Sequence, residues 1–244
     1  MQKYSIFNLV KNAFSGHQNW DLAWKDPTPK KEYDVVIIGG GGHGLATAYY
    51  LAKEHNITNV AIIEKGWIGG GNVGRNTTII RSNYMHDDNG LFSEFGMDLW
   101  RKMSQDLNYN VMFSPRGIIN LAHSDAQMNI YARRGNSMRL NGIDAELLNR
   151  EQVKEIIPMA DFSENVRFPI FGGLMQPSAG TARHDAVAWG YARQADSMGV
   201  DIIQNCEVTG FDINNGKING VRTSRGDIKV KKIGLCVAGS TNIL

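Results

Sequence analysis

Tyr33-Asp34-Val35-Val36-Ile37-Ile38-Gly39-Gly40-Gly41-Gly42-His43-Gly44 is the stretch that decides the fold. Its first half is a β-branched apolar run of the kind that fills a parallel strand buried on both faces. Its second half satisfies G-x-G-x-x-G at Gly39, Gly41 and Gly44. Residues 45–55 carry small and apolar side chains on one face and predict a helix; Val60-Ala61-Ile62-Ile63-Glu64 predicts a second buried strand. Strand, helix and strand within about 30 residues form a right-handed βαβ unit. A lone glycine match is weak, but here it closes a strand and opens a helix, which is the context a dinucleotide fingerprint needs. Gly39 permits the tight turn, Gly41 lets the backbone approach a pyrophosphate, and Gly44 lets the helix pack close to the strand. The helix N-terminus offers N–H groups and a partial positive charge to the phosphates. Glu64 ends the second strand 20 residues after Gly44, where a carboxylate accepts hydrogen bonds from an adenosine ribose. An acid there repels a 2′-phosphate, which leaves FAD or NAD.

Downstream, residues 66–82 hold Gly66, Gly69, Gly70, Gly71 and Gly74, a density that marks a working loop. The same loop carries Arg75, Asn76, Thr77 and Thr78 directly after the acid-bearing strand, where the rest of a flavin must be held. This, with a fingerprint close to the start of the chain, favours FAD. Leu91, Phe92, Phe95, Leu99 and Met103 recur at helical spacing in 88–106. Strands are expected at 111–113 and 117–122 around Pro115, helices near 125–140 and 149–157, and a strand at 172–176. A helix over 185–198 closed by Gly199, β segments at 201–212, 217–223, 227–230 and 233–238, and a hairpin turn at Asn214-Asn215-Gly216 complete the pattern. Residues 1–32 read as an arm packed through Trp20 and Trp24, with Pro27, Pro29, Lys30 and Lys31 as a stiff linker. The whole predicts an α/β protein with a Rossmann-like FAD-binding domain, and the resemblance set out below implies the glutathione-reductase and D-amino-acid-oxidase type. Its βαβ core spans 33–64, an α+β substrate domain is inserted at about 85–180, and the chain returns to the first domain at about 181–244.

Composition narrows the function. Among 244 residues, 26 Lys and Arg against 24 Asp and Glu give a net charge of +2, too even for a nucleic-acid surface. No apolar run approaches the roughly 20 residues of a membrane helix. Two cysteines, Cys206 and Cys236, cannot build a disulfide framework, so a reduced, cytoplasmic protein is expected and both are read as core residues. His17, His55, His86 and His123 have no metal-ligand spacing. Arg133-Arg134 and Lys231-Lys232 read as solvated faces or a docking surface.

Asp34 to Tyr49 resembles the amine-oxidising flavoproteins that include sarcosine oxidase and D-amino-acid oxidase. Two further segments, Gly70 to Tyr84 with Arg75-Asn76-Thr77-Thr78-Ile79-Ile80-Arg81, and Gly180 to Trp189 with Arg183-His184-Asp185, resemble the β-subunit family of heterotetrameric sarcosine oxidases. The likeness runs from about Trp20 to the end of the chain and lacks the family's C-terminal part, so the N-terminal portion of a longer protein is expected.

The resemblance implies non-covalent FAD in this chain and FMN attached to a histidine near a partner. Sarcosine is oxidised at FAD, and electrons pass to FMN and then to oxygen, giving hydrogen peroxide. The implied partners are the α, γ and δ subunits, with α holding NAD and a tetrahydrofolate site that takes the one-carbon unit. By motif position, Gly39, Gly41, Gly42, His43 and Gly44 line the FAD pyrophosphate, and Glu64 and Lys65 face ribose and adenine. Arg75, Asn76, Thr77, Thr78 and Ile80 follow the flavin, and Val208 meets the adenine through its backbone. Arg81 resembles the arginine that holds the substrate carboxylate, while Thr78 stands where monomeric relatives carry a basic residue. His184 is implied as the covalent FMN site, with Arg183 near the FMN phosphate. It opens a helix that often starts with proline in the wider family. A single-flavin oxidase or dehydrogenase of another small amine, and a non-catalytic FAD-binding subunit, remain as alternatives.

Overall fold

The computed structural model describes residues 5–18, 22–163 and 165–242, so Trp20 lies outside the described residues. The chain divides into two units, each taken here by itself. The first comprises residues 1–77, 105–111 and 183–244; the second comprises 78–104 and 112–182.

The first unit opens with helix α1 (Ile6–Phe14), capped by the Ser5 side chain on Asn8 N–H. Its apolar residues stay exposed, Phe7 at 82% and Phe14 at 89%. The segment after it is tied down. Lys25 N–H donates to Asp196, Gln204 N–H and Arg225 donate to Asp26, and Lys30 pairs with Asp201 at 2.7 Å. Then come β1 (Glu32–Ile38), α2 (Gly42–His55) and β2 (Val60–Ile63). These match the expected βαβ unit.

The rest of the six-stranded sheet comes from the end of the chain. Helix α6 (His184–Ser197) leads through Gly199, at φ +97°, into β8 (Asp201–Ile203), β9 (Val208–Asn214), β10 (Lys217–Thr223) and β11 (Ile228–Leu235). The order is β8-β2-β1-β11-β10-β9. The first four strands run parallel, and β10 and β9 add an antiparallel edge. Asn215 at φ 49° and Gly216 at φ 72° make the hairpin between β9 and β10, the two positive values a type I′ turn demands. The expected strands at 227–230 and 233–238 are one strand, because β11 follows β1 without a break from Lys229 to Leu235.

Tyr33, Val36 and Ile38 share one buried cluster with Ala61, Ile63, Cys206, Val208, Val221 and Val230. The helices α2 and α6 bring buried alanines, Ala48, Ala52, Ala188, Ala192 and Ala195, and stack Tyr49 edge-on to Tyr191 with centroids 5.4 Å apart.

The second unit holds α3 (Asp87–Asp106, whose last two residues belong to the first unit), α4 (Asp125–Leu140) and α5 (Arg150–Ile156). Its three-stranded antiparallel sheet has the order β4 (Ile118–Ala122), β6 (Gly172–Gln176), β5 (Glu146–Asn149). A two-residue ladder joins β3 (Ile79–Ile80) to β7 (Gly180–Thr181). Residues 111–113 form no strand: Met112 sits at φ 53°, which breaks an extended run, and only Ser114 bridges to Thr181. In α3 the buried residues are Gly90, Met97 and Met103, while Leu91, Phe92 and Phe95 are exposed.

Candidate functional site

The fingerprint lies at the C-terminal end of β1, where the chain leaves toward β2 on one side and β11 packs on the other. In a doubly wound sheet this reversal of strand order opens a ligand crevice. Gly39 turns at φ +109°, and a β-carbon there would lie 2.4 Å from the Cys236 carbonyl oxygen. A β-carbon on Gly44 would lie 2.0 Å from the Gly39 oxygen, so the start of α2 rests directly on the turn. Gly41 differs. Its φ of −83° is open to any residue, and its nearest neighbour would be Val73 Cγ2 at 3.8 Å. Gly41 is the N-cap of α2 and makes no side-chain cap, so the first-turn N–H groups of Gly42, His43 and Gly44 have no acceptor from their own helix. The site therefore has the donor set and the empty flank that a pyrophosphate fits.

Glu64 takes part in building this turn. Its Oε2 accepts from Gly40 N–H at 2.7 Å and its Oε1 from Gly66 N–H at 2.9 Å. Each oxygen keeps a second lone pair for a ribose hydroxyl. The following loop is hydrogen-bonded onto the fingerprint by Gly69 N–H to Gly40 O at 3.1 Å, and its 3₁₀ turn at Val73–Arg75 sets Val73 beside Gly41 and Gly42. Lys65, Arg75, Asn76 and Thr77 are exposed on this loop. Val208 begins β9 with its side chain buried in the core, and Cys206 N–H donates to Glu64 O at 2.9 Å, which sets this strand start beside Glu64.

At the other functional helix, Arg183 is the N-cap and His184 the first residue of α6. The half-buried His184 ring has its Nδ1 out of solvent and without a hydrogen-bond partner among the described residues. A buried ring nitrogen with no partner is unusual in a histidine that only decorates a helix end. Arg183 forks onto Asp185 at 2.7 and 3.0 Å. That pair holds the Asp185 carboxyl below the ordinary carboxylate range and raises Arg183. Asp185 also accepts from Ala186 N–H at 2.8 Å. The Arg183 guanidinium is thus already committed to a carboxylate in this arrangement.

The second unit carries Thr78, Ile80 and Arg81. Thr78 stands at φ 62°, a value that a β-branched residue adopts only under constraint, and its carbonyl accepts from Ala182 N–H at 3.1 Å. Ile80 is half-buried in the ladder with Gly180. Arg81 Nη1 donates to Asn83 Oδ1 at 2.5 Å, and its guanidinium lies 5.0 Å from the Tyr84 ring centroid. Arg81 has no ion pair among the described residues, which leaves its planar fork available to a carboxylate. Beside it, a half-buried Arg134 donates from Nη2 to the Asn83 main-chain oxygen. Arg133 and Arg134 are expected together on a solvated face or a docking surface, but only Arg133 is exposed. The helical spacing of Tyr131, Arg134, Gly135 and Met138 was the signal that puts Arg134 on the inward side.

A largely parallel sheet with this fingerprint at its reversal point and an acid just past the second strand defines a dinucleotide-binding α/β protein. The chain belongs to the FAD dependent oxidoreductase family, which it matches over residues 34–244. It is 60% identical over 240 residues to the sarcosine oxidase subunit beta of Rhizobium meliloti (strain 1021), covering 98% of this chain and 58% of that one. It is 53% identical over 224 residues to the sarcosine oxidase subunit beta of an Arthrobacter species, covering 92% of this chain and 55% of that one. The chain thus spans little more than half the length of these relatives. Among solved structures, L-proline dehydrogenase from P. horikoshii superposes with a TM-score of 0.81 at 28% identity, over 88% of this chain and 55% of that one.

Proposed function

We propose that this chain is the flavin-binding part of a sarcosine oxidase β subunit, working in a complex with α, γ and δ subunits. The products would be glycine, a one-carbon unit and hydrogen peroxide. The observation that carries the reading is the 60% identity to the Rhizobium meliloti subunit, sustained over 98% of the chain. The chemistry supplied by the bound flavins is acceptance of a hydride equivalent from the amine's C–H bond and delivery of electrons to oxygen.

The chain's own residues would act as follows. The N–H groups of Gly42, His43 and Gly44 hold the FAD pyrophosphate, with Gly39 and Gly41 giving it close approach. Glu64 accepts from the ribose, Lys65 and the Val208 backbone border the adenine, and Arg75, Asn76, Thr77, Thr78 and Ile80 follow the flavin. Arg81 grips the substrate carboxylate with two parallel hydrogen bonds and so fixes which C–H bond faces the flavin. His184 would carry FMN, a role supported by its partnerless Nδ1. Arg183 would reach the FMN phosphate only by sharing itself with Asp185. Two cysteines without a disulfide suit a cytoplasmic location, and among the described residues no helix is long and apolar enough to cross a membrane.

The test uses the full-length chain co-expressed with its partner subunits. Anaerobic sarcosine should bleach the flavin. After acid denaturation, yellow colour should stay with the chain, and a tryptic peptide spanning His184 should be heavier by one FMN. His184→Ala should lose that mass and keep FAD. Flavin that washes entirely off the denatured wild type sinks the two-flavin reading in favour of a single-flavin oxidase.

A further inference from the structure

Arg134 lies in the middle of α4, one turn before the fully buried Met138, while its neighbour Arg133 is exposed. Its Nη2 donates to the main-chain oxygen of Asn83. The side chain of the same Asn83 accepts from Arg81 at 2.5 Å and donates to Asn120 Oδ1 at 2.8 Å. Asn83 is itself fully buried. Two guanidiniums therefore converge on one buried asparagine.

Neither arginine has a carboxylate within ion-pair distance among the described residues. Two acids of the same unit are committed elsewhere. Glu94 accepts from Ser82 at 2.6 Å and Arg101 at 3.1 Å; Asp144 accepts from Ser178 N–H at 2.6 Å and its hydroxyl at 2.5 Å. Arg134 Nε is buried and has no acceptor among the described residues. Burial first, and the Arg81 charge second, push Arg134 below the ordinary guanidinium range. Two like charges drawn partly out of water without a counter-ion cost stability. An arriving anion repays that cost.

We propose that Arg134 is a positioning residue of the carboxylate site: it pins Asn83, and through it the Arg81 fork, and adds the second positive charge that makes the site prefer a carboxylate to a neutral amide. The proposal rests on the reading of Arg81 as the carboxylate ligand. A purely structural Arg134 would weaken both kinds of ligand alike; a charge-selecting one weakens only the anion.

The experiment titrates the full-length flavin-loaded complex with methoxyacetate, an inert carboxylate, and with methoxyacetamide, its neutral counterpart, following the flavin absorbance. Arg134→Gln should raise the methoxyacetate Kd about tenfold, the size expected for removing a charged hydrogen-bonding partner. The methoxyacetamide Kd should stay within about twofold. Arg134→Lys, which keeps the charge and loses the fork, should fall between wild type and Arg134→Gln. Arg81→Lys separates the two readings. If it leaves methoxyacetate binding unchanged, the assignment of Arg81 fails. If it weakens that binding while Arg134→Gln does not, or if Arg134→Gln weakens both ligands equally, the proposal for Arg134 is overturned. Should Arg134→Gln not retain flavin, the same comparison in Arg134→Lys decides: selective weakening of the carboxylate upholds the proposal and equal weakening refutes it.

Discussion

Within the fingerprint, the structure separates a glycine needed by the fold from one needed by the ligand. A β-carbon added at Gly44 meets the Gly39 carbonyl oxygen at 2.0 Å, the Gly39 carbon at 3.2 Å and Ile37 Cγ2 at 3.3 Å. The first of these is backbone and cannot rotate away, so α2 must retreat from the end of β1 by about 1 Å. Overpacking of this kind costs about 1–3 kcal/mol, and a clash with main chain belongs at the upper end. For a unit of this size about 3 kcal/mol lowers Tm by about 6–12 °C. At Gly41 the nearest atom would be 3.8 Å away and φ is −83°, so alanine fits the flavin-free protein. The only cost there is a poorer N-cap, about 0.5–1 kcal/mol, or about 1–4 °C. In the proposed function Gly41 is where the pyrophosphate would approach the backbone, so its β-carbon should raise the FAD Kd more than about tenfold. The assay is thermal unfolding of the flavin-free full-length protein beside FAD titration by fluorescence quenching. Gly41→Ala that binds FAD as wild type does, or Gly44→Ala that melts at the wild-type temperature, refutes the division of roles.

Two further outcomes follow from local geometry. Asp185 has its carboxyl pKa lowered chiefly by the Arg183 fork, so its contribution is present above the ordinary carboxylate range and is lost as pH falls through the depressed value. Asp185→Asn should therefore lower Tm at pH 7 and close the gap to wild type as pH falls below the ordinary carboxylate range; parallel Tm–pH curves would exclude the pair from stability. Thr78 holds φ 62° at a cost of roughly 1–2 kcal/mol for a β-branched residue. Thr78→Asn should raise Tm by about 2–4 °C and slow sarcosine turnover if the strained carbonyl is part of the flavin site, whereas a lowered Tm would show that the threonine contacts outweigh the strain.

How legible each element was in the sequence depended on where its stability comes from. β1, α2 and β2 announce themselves because a strand buried on both faces needs an unbroken apolar run, and 0% exposure at Val36, Ile37, Val60, Ala61 and Ile62 is that need met. α6 was readable from its small residues and closing glycine. The β3–β7 ladder was not, since two residues on each side carry no periodicity and the pairing is supplied by chain segments about 100 residues apart. β5 escaped because Glu146 to Asn149 exposes three of its four residues and gains its place only by pairing with β6. The expected strand at 111–113 was a propensity reading defeated by Met112 in the left-handed region. In α3, hydrophobic spacing picked out the helix but not its buried side, because Leu91, Phe92 and Phe95 obey the same 3.6-residue period as Met97 and Met103.

The candidate site divides along the same line. Glycines are legible because their reason is steric and local: the Gly39–Gly44 contact is written in six consecutive residues. Glu64 was legible by distance along the chain, though not its bonds to Gly40 and Gly66, which make it a brace of the turn as well as the proposed ribose acceptor. Arg134 was hidden by its neighbour. Two consecutive arginines look like one basic patch, yet on a helix they point about 100° apart. Arg133 goes to solvent; Arg134 falls in line with Tyr131 and Met138, and so is carried inward against Asn83. The apolar stripe gives the direction of that side chain, and the absence of any acid in the stripe gives its charge no local partner. A cation carried inward by a helix period, toward a second cation, is the arrangement that the proposed bound carboxylate would complete.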